Sequence, residues 1–580
     1  MKSSNSDIAD LLRSVATSLT LRKANSFQVR AYENAADSIE HSTTEIKDLW
    51  QEGRLDEVPG IGSSLQEHLT ELFKTGKVSH FETILKHYPD ILYELIKIPG
   101  IGPKTALELT DLGIKSVSEL EDKLKSGKLT EKGFSVKIGE KILIGLLEFN
   151  NRSDRMFLPY AQAQADKILE YIKKGPGVKM ADPLGSLRRQ VVTIGDLDFA
   201  ACSDDPEKVY EYFSKLPGVS EVIDKQTLVL GSGIHVDILV GTPESYGALL
   251  QHFTGGKNHN IKLRTFALKK GLSLSEDGIK NVKTGKVIET KTEEEFYKHL
   301  GMDTPAPEIR EDSGEIEAAL EHKLPDLLEL KDLKGDLHLH SNFPIEHPSH
   351  GPGVHDIEEI VKVAEKLGYD YVGISDHPPA HRSETQEGII KWVEKRTKVI
   401  QTLRQAQGKK GKKSIRVLNG LEIDILTDGS LSVPDSALET LDYVIAGIHS
   451  AHRSSKEDIT KRIIKALESS HVDIISHPTG RLLNERESYD ADWEEIFKVA
   501  AKSEKILEIN SFPNRLDLRD DLVRLALKFG VKFVINTDAH EISQMENMKF
   551  GVSVARRGWV EKKDVVNTWD WKKFAEWFNI

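Results

Sequence analysis

Short apolar segments recur through residues 336–580, and several of them are followed within three residues by a histidine or an aspartate. The segments are separated by stretches with helical periodicity and cover residues 371–375, 443–448, 472–475, 506–509 and 532–535. Short apolar strands that alternate with helices are typical of parallel βα units. This half of the chain is therefore expected to form a parallel α/β structure with polar residues at its strand ends.

Histidine is concentrated in the same half, with twelve of the 21 histidines in residues 336–580. In Asp336-Leu337-His338-Leu339-His340 the two imidazoles are two residues apart on a predicted strand, so they share a face and form a chelating pair. A single histidine is more often a core or surface residue than a ligand. Eight candidates on successive βα units instead favour a metal cluster at the mouth of a barrel. They are His338, His340, His377, Glu422, His449, His477, Asp538 and His540.

A chain of 580 residues exceeds what one hydrophobic core organises, so we expect three or more domains. The formal net charge of −13 excludes a dominant basic domain, and any nucleic-acid contact must be local. The single cysteine, Cys202, excludes an intrachain disulfide and fits a reducing compartment. Without a long apolar run or an apolar leader, the protein is expected to be soluble and cytoplasmic.

Two stretches have the composition of irregular segments. Residues 301–335 begin with prolines and continue into an acidic run, which predicts a linker between two domains. The lysine-rich tract at residues 408–413 is expected to be a solvated loop.

A five-residue pattern occurs twice in the N-terminal region, which otherwise has helical periodicity up to residue 150. It is Val58-Pro59-Gly60-Ile61-Gly62 and, forty residues later, Ile98-Pro99-Gly100-Ile101-Gly102. The glycines leave backbone N–H groups unhindered and, with the following helix N-terminus, aim them at an anion. One copy could merely separate two helices, whereas two copies suit phosphates of one DNA strand. The pattern resembles the helix-hairpin-helix motif, and the candidate DNA-binding residues are Gly60, Gly62, Gly100, Gly102 and Lys104.

Three aspartates are candidate ligands in a region with strand signals between residues 180 and 240. Asp196 and Asp198 lie on one face of a predicted strand whose other face is apolar, and Asp237 lies on a second strand. A lone Asp-X-Asp is usually a solvated edge. Three carboxylates on neighbouring strands suit Mg²⁺ ions that accept a triphosphate. The upstream Gly185-Ser186 turn and its arginines offer donors to the phosphates.

These motifs resemble the family X DNA polymerases from residue 1 to about 300, including residues 27–36 and the segment 253–260. The resemblance implies a helical DNA-binding domain at 1–85, a fingers-like helical domain at 86–150, an α/β nucleotidyltransferase palm at 151–240 and a small α+β thumb at 241–300. It implies that Asp196, Asp198 and Asp237 are catalytic and hold Mg²⁺ or Mn²⁺. The implied nucleotide-binding residues are Gly185, Ser186, Arg189, Gly195, Phe253, Gly255, Asn260 and Arg264.

The chain departs from the family X pattern at two places. His252 and Gly256 stand where the family often has an aromatic residue and a serine, which implies weaker rejection of ribonucleotides unless His252 is simply exposed. Residues 63–68 contain no lysine to form the Schiff base of a 5′-deoxyribose phosphate lyase, so no lyase is expected through the usual residue.

Residues 336 to about 560 resemble the polymerase and histidinol phosphatase (PHP) domain, a distorted (βα)7 barrel that hydrolyses phosphate esters, which implies a PHP domain at 336–580. The resemblance implies two to three Mn²⁺, Zn²⁺ or Fe ions on the eight candidate ligands. One family ligand, an aspartate in a Ser-Asp-Gly turn, is replaced by Ser349-His350-Gly351. His350 could substitute for it as a ligand, with the loss of one negative charge, or it could lie in a mobile loop.

The combination predicts a multidomain polymerase that fills short gaps in DNA repair and carries a metal-dependent 3′→5′ exonuclease. Its expected partners are gapped or primer-template DNA and dNTPs, with no membrane. It is expected to be a monomer of the cytoplasm, associated with the nucleoid. Two rivals are a PHP phosphatase with a DNA-binding front half and a non-catalytic repair scaffold. The three palm aspartates argue against the scaffold, and the DNA-binding region argues against the phosphatase.

Overall fold

The structure is a computed structural model that describes residues 4–40, 42, 44–131, 133–150, 155–408 and 415–580. Most of the lysine-rich tract, residues 409–413, lies outside the described residues. The chain divides into two compact units. The first comprises Met1–Pro183, Ile194–Val240 and Leu483–Glu487, and the second comprises Leu184–Thr193, Gly241–Leu482 and Ser488–Ile580.

The N-terminal region of the first unit is helical, as its periodicity predicted. Its helices are α1 (Asn5–Leu21), α2 (Ser26–Glu40), α3 (Ile46–Gln51), α4 (Ser63–Thr75), α5 (Ser79–Leu85), α6 (Asp90–Leu95), α7 (Pro103–Asp111), α8 (Val117–Lys125), α9 (Lys128–Glu131) and α10 (Val136–Asn150), with a 3-10 turn at Leu55–Glu57. Two hydrophobic cores divide this region near residue 85. Val58 and Ile61 belong to the first core, and Ile98 and Ile101 belong to the second, so the repeated sequence is also a repeat of packing.

A five-stranded sheet completes the first unit. The elements between residues 156 and 241 are, in chain order, β1 (Met156–Phe157), α11 (Leu158–Lys173), β2 (Met180–Pro183), α12 (Gly185–Arg188), β3 (Thr193–Ile194), β4 (Leu197–Cys202), α13 (Pro206–Phe213), β5 (Val219–Val222), β6 (Thr227–Leu230) and β7 (His235–Gly241). Among them, α12 belongs to the second unit. The strand order is β2-β4-β7-β6-β5, which makes β4 and β7 neighbours. Leu197 and Phe199 are fully buried. The opposite face of β4 is therefore free to present polar side chains.

The second unit contains a small α+β region. It consists of α14 (Tyr246–Thr254), α15 (Lys257–Lys269), the antiparallel strands β8 (Leu272–Ser275), β9 (Gly278–Asn281) and β10 (Val287–Ile288), and then α16 (Glu293–Leu300). Residues 301–335, for which composition predicts a linker, contain regular structure. Residues 301–335 contain the 3-10 turns Pro307–Ile309 and Leu330–Asp332 and helix α17 (Glu315–Leu320). Ile316 and Ala319 of α17 belong to the same core as Phe296. Proline and charge content could not reveal this packing, because it depends on partners elsewhere in the chain.

Seven parallel strands form a nearly closed barrel in the rest of the second unit, as predicted. They are β11 (Gly335–Asp336), β12 (Tyr371–Ile374), β13 (Arg416–Asp424), β14 (Tyr443–Gly447), β15 (Ile474–Ile475), β16 (Ile506–Asn510) and β17 (Lys532–Asn536), hydrogen-bonded in that order. A parallel bridge between Leu339 and Ala539 joins the chain after β11 to the chain after β17. The accompanying helices are α18 (Ile357–Lys366), α19 (Gln386–Gly408), α20 (Asp435–Leu438), α21 (Lys456–Leu467), α22 (Trp493–Lys502), α23 (Asp520–Leu527), α24 (Met548–Arg557) and α25 (Trp571–Phe578). Short 3-10 turns cover Ile542–Asn547, Lys562–Asp564 and Val566–Thr568.

The barrel interior is filled by large side chains. A Cβ atom on Gly373 or Gly420 would lie 2.1 or 2.2 Å from the Tyr443 side chain, so these glycines make room for the tyrosine ring. Tyr443 belongs to one core with Phe574 and Phe578, which both lie in the C-terminal helix α25. With its interior packed, the barrel offers space for ligands at the carboxyl ends of its strands.

Candidate active sites

The structure brings the three palm aspartates together in the first unit. One carboxylate oxygen from each of Asp196, Asp198 and Asp237 lies within 4.8 Å of the others. Asp196 precedes β4 and is exposed, whereas Asp198 in β4 and Asp237 in β7 are partly buried. The neighbouring strands thus supply a carboxylate-only group that is open to solvent. Oxygen ligands of this kind suit Mg²⁺ or Mn²⁺.

Thr227 is a residue of this site that the sequence analysis missed. It lies opposite Asp237 in the β6–β7 register, and its hydroxyl donates a hydrogen bond to Asp237 Oδ1 at 2.5 Å. This bond fixes the carboxylate rotamer without occupying its other oxygen. A threonine in a strand gives no sequence signal, since β-branched residues are common there.

The turn residues expected to contact a triphosphate belong to the second unit, apart from Gly195. Gly185 begins α12 with a φ of +54°, in the left-handed region that glycine tolerates. Arg189 is already engaged by protein groups: its Nε donates to Glu311 Oε1 at 3.0 Å and its Nη1 donates to the Thr254 carbonyl at 2.7 Å. The segment Leu184–Thr193 therefore packs against residues of the thumb region, which belongs to the same unit.

The remaining predicted nucleotide-binding residues lie around the turn between α14 and α15. Asn260 accepts a hydrogen bond from Gln251 Nε2 at 2.9 Å and donates one to the His252 carbonyl at 2.7 Å. A Cβ atom on Gly255 would lie 2.7 Å from Asn260 Oδ1, so the glycine allows this close approach. Asn260 thus stabilises the turn, while Arg264 is exposed and Phe253 is partly exposed beside the His252 ring.

All eight predicted barrel ligands fall into overlapping groups at the carboxyl ends of the strands. One group is His338, His340, Glu422 and Asp538; a second is Glu422, His449 and His477; a third is His340, His377 and His540. Within each group the ligand atoms lie within 4.8 Å of one another. Glu422 belongs to the first and second groups and His340 to the first and third, so adjacent groups share side chains.

The electrostatics of the barrel groups follow from their burial. Burial alone would raise the pKa of the Glu422 carboxyl, but the nearby imidazoles of His338, His377 and His449 lower it well below its usual value. Burial, helped by the charge of His340, lowers the pKa of His540 to about 4. Glu422 is therefore a carboxylate and His540 a neutral imidazole at neutral pH, which are the forms that bind metals.

Several buried nitrogens in these groups lack hydrogen-bond partners among the described residues, including both ring nitrogens of His340 and Nδ1 of His477. An orphaned polar atom in a protein interior is costly unless something else satisfies it. A bound cation would do so, and mixed imidazole and carboxylate ligands fit Mn²⁺, Zn²⁺ or Fe. The residues present therefore fit the metal ions that the resemblance implied.

Two acidic residues of the barrel site escaped the sequence analysis. Glu508 of β16 is fully buried, and its Oε1 lies 2.7 Å from His338 Nδ1. Asp424 lies two residues after Glu422 on β13, with its Oδ1 2.8 Å from His449 Nδ1. The signals were present: Asp424 shares a strand face with Glu422, and Glu508 is an acid within the apolar run Ile506–Ile509.

His350 lies beside the predicted groups. Its Nε2 is 3.2 Å from Asp424 Oδ1, and its ring centroid is 4.5 Å from that of His377. His350, Asp424 and His449 also form a possible ligand group. The carboxylate beside His350 is that of Asp424 on β13.

The two hairpins present their glycines to solvent. Gly60, Gly62, Gly100, Gly102 and Lys104 are all exposed. Gly62 and Gly102 are the N-caps of α4 and α7, and neither helix has a side-chain cap. A Cβ atom at Gly62 or Gly102 would meet nothing within 4 Å, so packing does not require glycine at these positions. An external group can therefore approach the backbone closely at both glycines.

Comparison with known proteins identifies four segments. Residues 3–78 match a helix-hairpin-helix domain and residues 92–146 match a SAM-like helix-hairpin-helix tandem. Residues 249–311 match the DNA polymerase beta thumb, and residues 336–512 match the PHP domain. Among the described residues, no helix is both long and apolar enough to cross a bilayer.

Full-length similarity connects these segments. A DNA polymerase/3′-5′ exonuclease PolX of Bacillus subtilis (strain 168) is 36% identical over 573 residues, 97% of each chain. Probable phosphatases of Thermoanaerobacter sp. (strain X514) and Caldicellulosiruptor bescii are 27% identical over 230 residues and 28% over 198 residues. Those matches cover 38% and 33% of this chain and 86% and 75% of the phosphatases. Because the Bacillus similarity extends over helical region, sheet, thumb and barrel alike, the chain belongs to the family X DNA polymerases that carry a C-terminal PHP domain.

Proposed function

We propose that this chain extends DNA primers at the palm aspartates and removes nucleotides from 3′ ends at the barrel cluster, so that it fills short gaps during DNA repair. The observation that carries the proposal is the presence of two ligand sets of different chemistry on one chain: three carboxylates in the first unit, and histidines with acids in the second. The full-length relative from Bacillus is named for both activities.

At the palm, Asp196, Asp198 and Asp237 would hold Mg²⁺ or Mn²⁺. Such ions, when bound, favour deprotonation of the primer 3′-hydroxyl and neutralise the leaving pyrophosphate. Thr227 keeps Asp237 oriented for this purpose through its hydroxyl hydrogen bond. Gly185, Ser186 and Arg189 would bind the triphosphate, and Arg189 would exchange a protein acceptor for a phosphate oxygen. Phe253 and Gly255 would contact the sugar of the incoming nucleotide, and Asn260 and Arg264 would contact the base pair being formed.

At the barrel, the three groups that include His340 or Glu422 would hold two to three Mn²⁺, Zn²⁺ or Fe ions. Such ions, when bound, promote attack of water on phosphorus and stabilise charge on the phosphate oxygens. Glu508 accepts a hydrogen bond from Nδ1–H of His338, which leaves His338 Nε2 to bind an ion together with Glu422, whose Oε2 lies 2.9 Å from it. Carboxylates that orient metal-binding histidines in this way also raise their basicity.

Asp424 would play the same orienting part for His449. An imidazole whose Nδ1–H is hydrogen-bonded to a carboxylate has only Nε2 left for an ion, so His449 cannot serve two ligand groups at once. With Nδ1 bonded to Asp424, its Nε2 is the atom that faces Glu422 Oε1 at 3.2 Å and His477 Nε2 at 3.3 Å. This assigns His449 to the group with Glu422 and His477. His350 then hydrogen-bonds Asp424 and is not itself a ligand.

The hairpins would bind the DNA backbone without reading its sequence, because exposed N–H groups contact phosphates rather than base edges. The Gly62→Ala, Gly102→Ala double variant tests this proposal, since the space around both positions predicts a normal fold. We expect affinity for gapped DNA to fall about three- to ten-fold because each methyl group obstructs a phosphate. Gly231→Ala is the matched control, at an exposed palm glycine. Affinity equal to the control would refute a role for the hairpins.

A primer assay on gapped DNA tests the function as a whole. With dNTPs and Mg²⁺ or Mn²⁺ the primer should lengthen, and with Mn²⁺ but no dNTPs it should shorten one nucleotide at a time. Release of phosphate from a monoester, without any change in primer length, would instead favour the activity for which the Thermoanaerobacter relative, a probable phosphatase, is named. A gap of a few nucleotides should be filled at least as well as a long template is copied.

We also infer that the enzyme acts as a monomer on chromosomal DNA, which places it in the cytoplasm at the nucleoid. One palm and one barrel cluster on each chain suffice for both proposed reactions. Light scattering at working concentration tests the oligomeric state, and a dimer would contradict this inference.

A further inference from the structure

Helix α24 of the barrel region contacts the turn that is proposed to bind the triphosphate, and both belong to the second unit. The Arg557 side chain lies near the end of α24 and is only 9% exposed. Its Nη1 donates to the carbonyl oxygen of Arg189 at 2.9 Å, and its Nε donates to Asp520 Oδ2 at 2.8 Å. A buried guanidinium of the nuclease region thus holds the backbone of the polymerase turn.

A shared carboxylate strengthens this connection. Glu311 Oε1 accepts from Arg557 Nη1 at 3.1 Å and from Arg189 Nε at 3.0 Å, so one carboxylate joins the two guanidinium groups. One turn earlier on α24, Ser553 donates to Gln190 Oε1 at 3.1 Å. Charge-assisted hydrogen bonds of this kind are stronger than neutral ones and fix geometry more tightly.

The turn needs such support because little regular structure holds it. Helix α12 contains only the four residues Gly185–Arg188. Gly185 and Gln190, near its two ends, have φ values of +54° and +53°. For Gln190 this is the left-handed region, which a non-glycine residue keeps only when its surroundings stabilise it. Contacts from outside the turn therefore decide its conformation.

We propose that Arg557 is a positioning residue for nucleotide addition: from the PHP region it holds the turn Gly185–Gln190 in the form that presents Ser186 and Arg189 to the triphosphate of an incoming dNTP. The proposal rests on the proposed function, in which this turn binds the triphosphate. Nucleotide affinity at the polymerase site then depends on a residue of the nuclease region. The nuclease reaction does not depend on the same residue.

Steady-state kinetics of the full-length Arg557→Ala variant test the proposal. The KM for dNTP should rise about ten-fold because the turn loses its charge-assisted hydrogen bonds. The kcat should change less than KM, and primer degradation without dNTPs should keep its wild-type rate. Arg557→Lys should show an intermediate KM, since a single ammonium group cannot replace the two separate donors Nη1 and Nε, which bind the turn and Asp520 at the same time.

Arg556→Ala is the matched control on the same helix. Arg556 carries the same charge, and its guanidinium donates to Glu308 Oε1 at 2.7 Å and to the Leu328 carbonyl at 3.0 Å, away from the turn. Its removal should leave the KM for dNTP unchanged. An equal rise in KM in both variants would show general loosening of this region and would overturn a positioning role for Arg557.

Amide hydrogen exchange gives a readout that does not need catalysis. In Arg557→Ala, peptides covering residues 185–191 should exchange faster, whereas peptides covering β13 should not change. Ser553→Ala removes the contact to Gln190 and a hydrogen bond to the Lys549 carbonyl within α24. It should give a smaller increase and serves if Arg557→Ala fails to fold. Unchanged exchange in residues 185–191 of the folded variant would overturn the proposal. If wild-type protein adds no nucleotides, the proposed function fails, but the exchange experiment still decides whether Arg557 holds the turn.

Discussion

In the palm, three carboxylates lie on an open face of the sheet, and Asp196 is exposed. In the barrel, Glu422 is 1% exposed and the imidazoles of His338, His377, His449 and His477 each approach it to 3.2 Å or less. Thr227 orients one palm ligand, whereas Glu508 and Asp424 each hold a barrel histidine. The difference teaches that a buried site must satisfy its ligands internally, while an open site leaves part of the task to substrate and solvent.

The largest expected effect separates the two sites outright. Asp198→Ala should reduce nucleotide addition by about a thousand-fold or more, because one carboxylate fewer prevents placement of the palm ions. Primer degradation by the same protein should keep its rate. Extension and degradation assays measure both, with Asp204→Ala, an exposed aspartate of the same region, as the control. Equal loss of both activities in folded Asp198→Ala would break the assignment of two sites.

The converse variant removes two barrel ligands. His338→Ala combined with His340→Ala should lower degradation by about a hundred-fold or more and release bound transition metal, because the remaining ligands cannot complete their groups. Extension should persist. Elemental analysis measures the metal, and His471→Ala, a partly exposed histidine of the barrel region, serves as the control. Unchanged metal content in the double variant would remove these two histidines from the ligand set.

The difference in burial between the two sites also predicts that they exchange bound ions at different rates. After a brief chelator treatment followed by excess Mg²⁺, extension should recover at once because the palm carboxylates are open to solvent. Recovery of degradation on adding Mn²⁺ should take about ten-fold longer, since ions must enter a buried cluster. Time courses of both activities in one preparation measure the ratio. Equal recovery times would show that burial in the structure does not govern access.

The smallest effect concerns His350. Since His350 hydrogen-bonds Asp424, His350→Ala should retain the metal ions and slow degradation only about two- to three-fold. His350→Asp should be slower still, because it places a second carboxylate beside Asp424. Loss of one metal equivalent in His350→Ala would instead make His350 a ligand. Improved cleavage with Mn²⁺ in His350→Asp would support the same conclusion.

Local patterns predicted much of this molecule. The repeated Pro-Gly-Ile-Gly turns predicted the hairpins, and alternation along the strands put Asp196 and Asp198 on one face. All eight candidate ligands of the barrel, which the structure brings into groups, were predicted from their positions near strand ends, because parallel strands end at one mouth of a barrel. Asp424 was missed although its spacing from Glu422 gave the same signal.

Other features depend on residues that are far apart in the chain, and no local pattern could reveal them. The sequence by itself identified the candidate ligands from their positions along the strands, and a period of two residues determined which strand face each one shares. Only the tertiary structure decided that α17 packs into the thumb core, that Glu508 orients His338 across 170 positions, and that Arg557 holds the carbonyl of Arg189. Those contacts form when whole elements pack, and the residues on each side of such a contact carry no local sign of the partner they will meet.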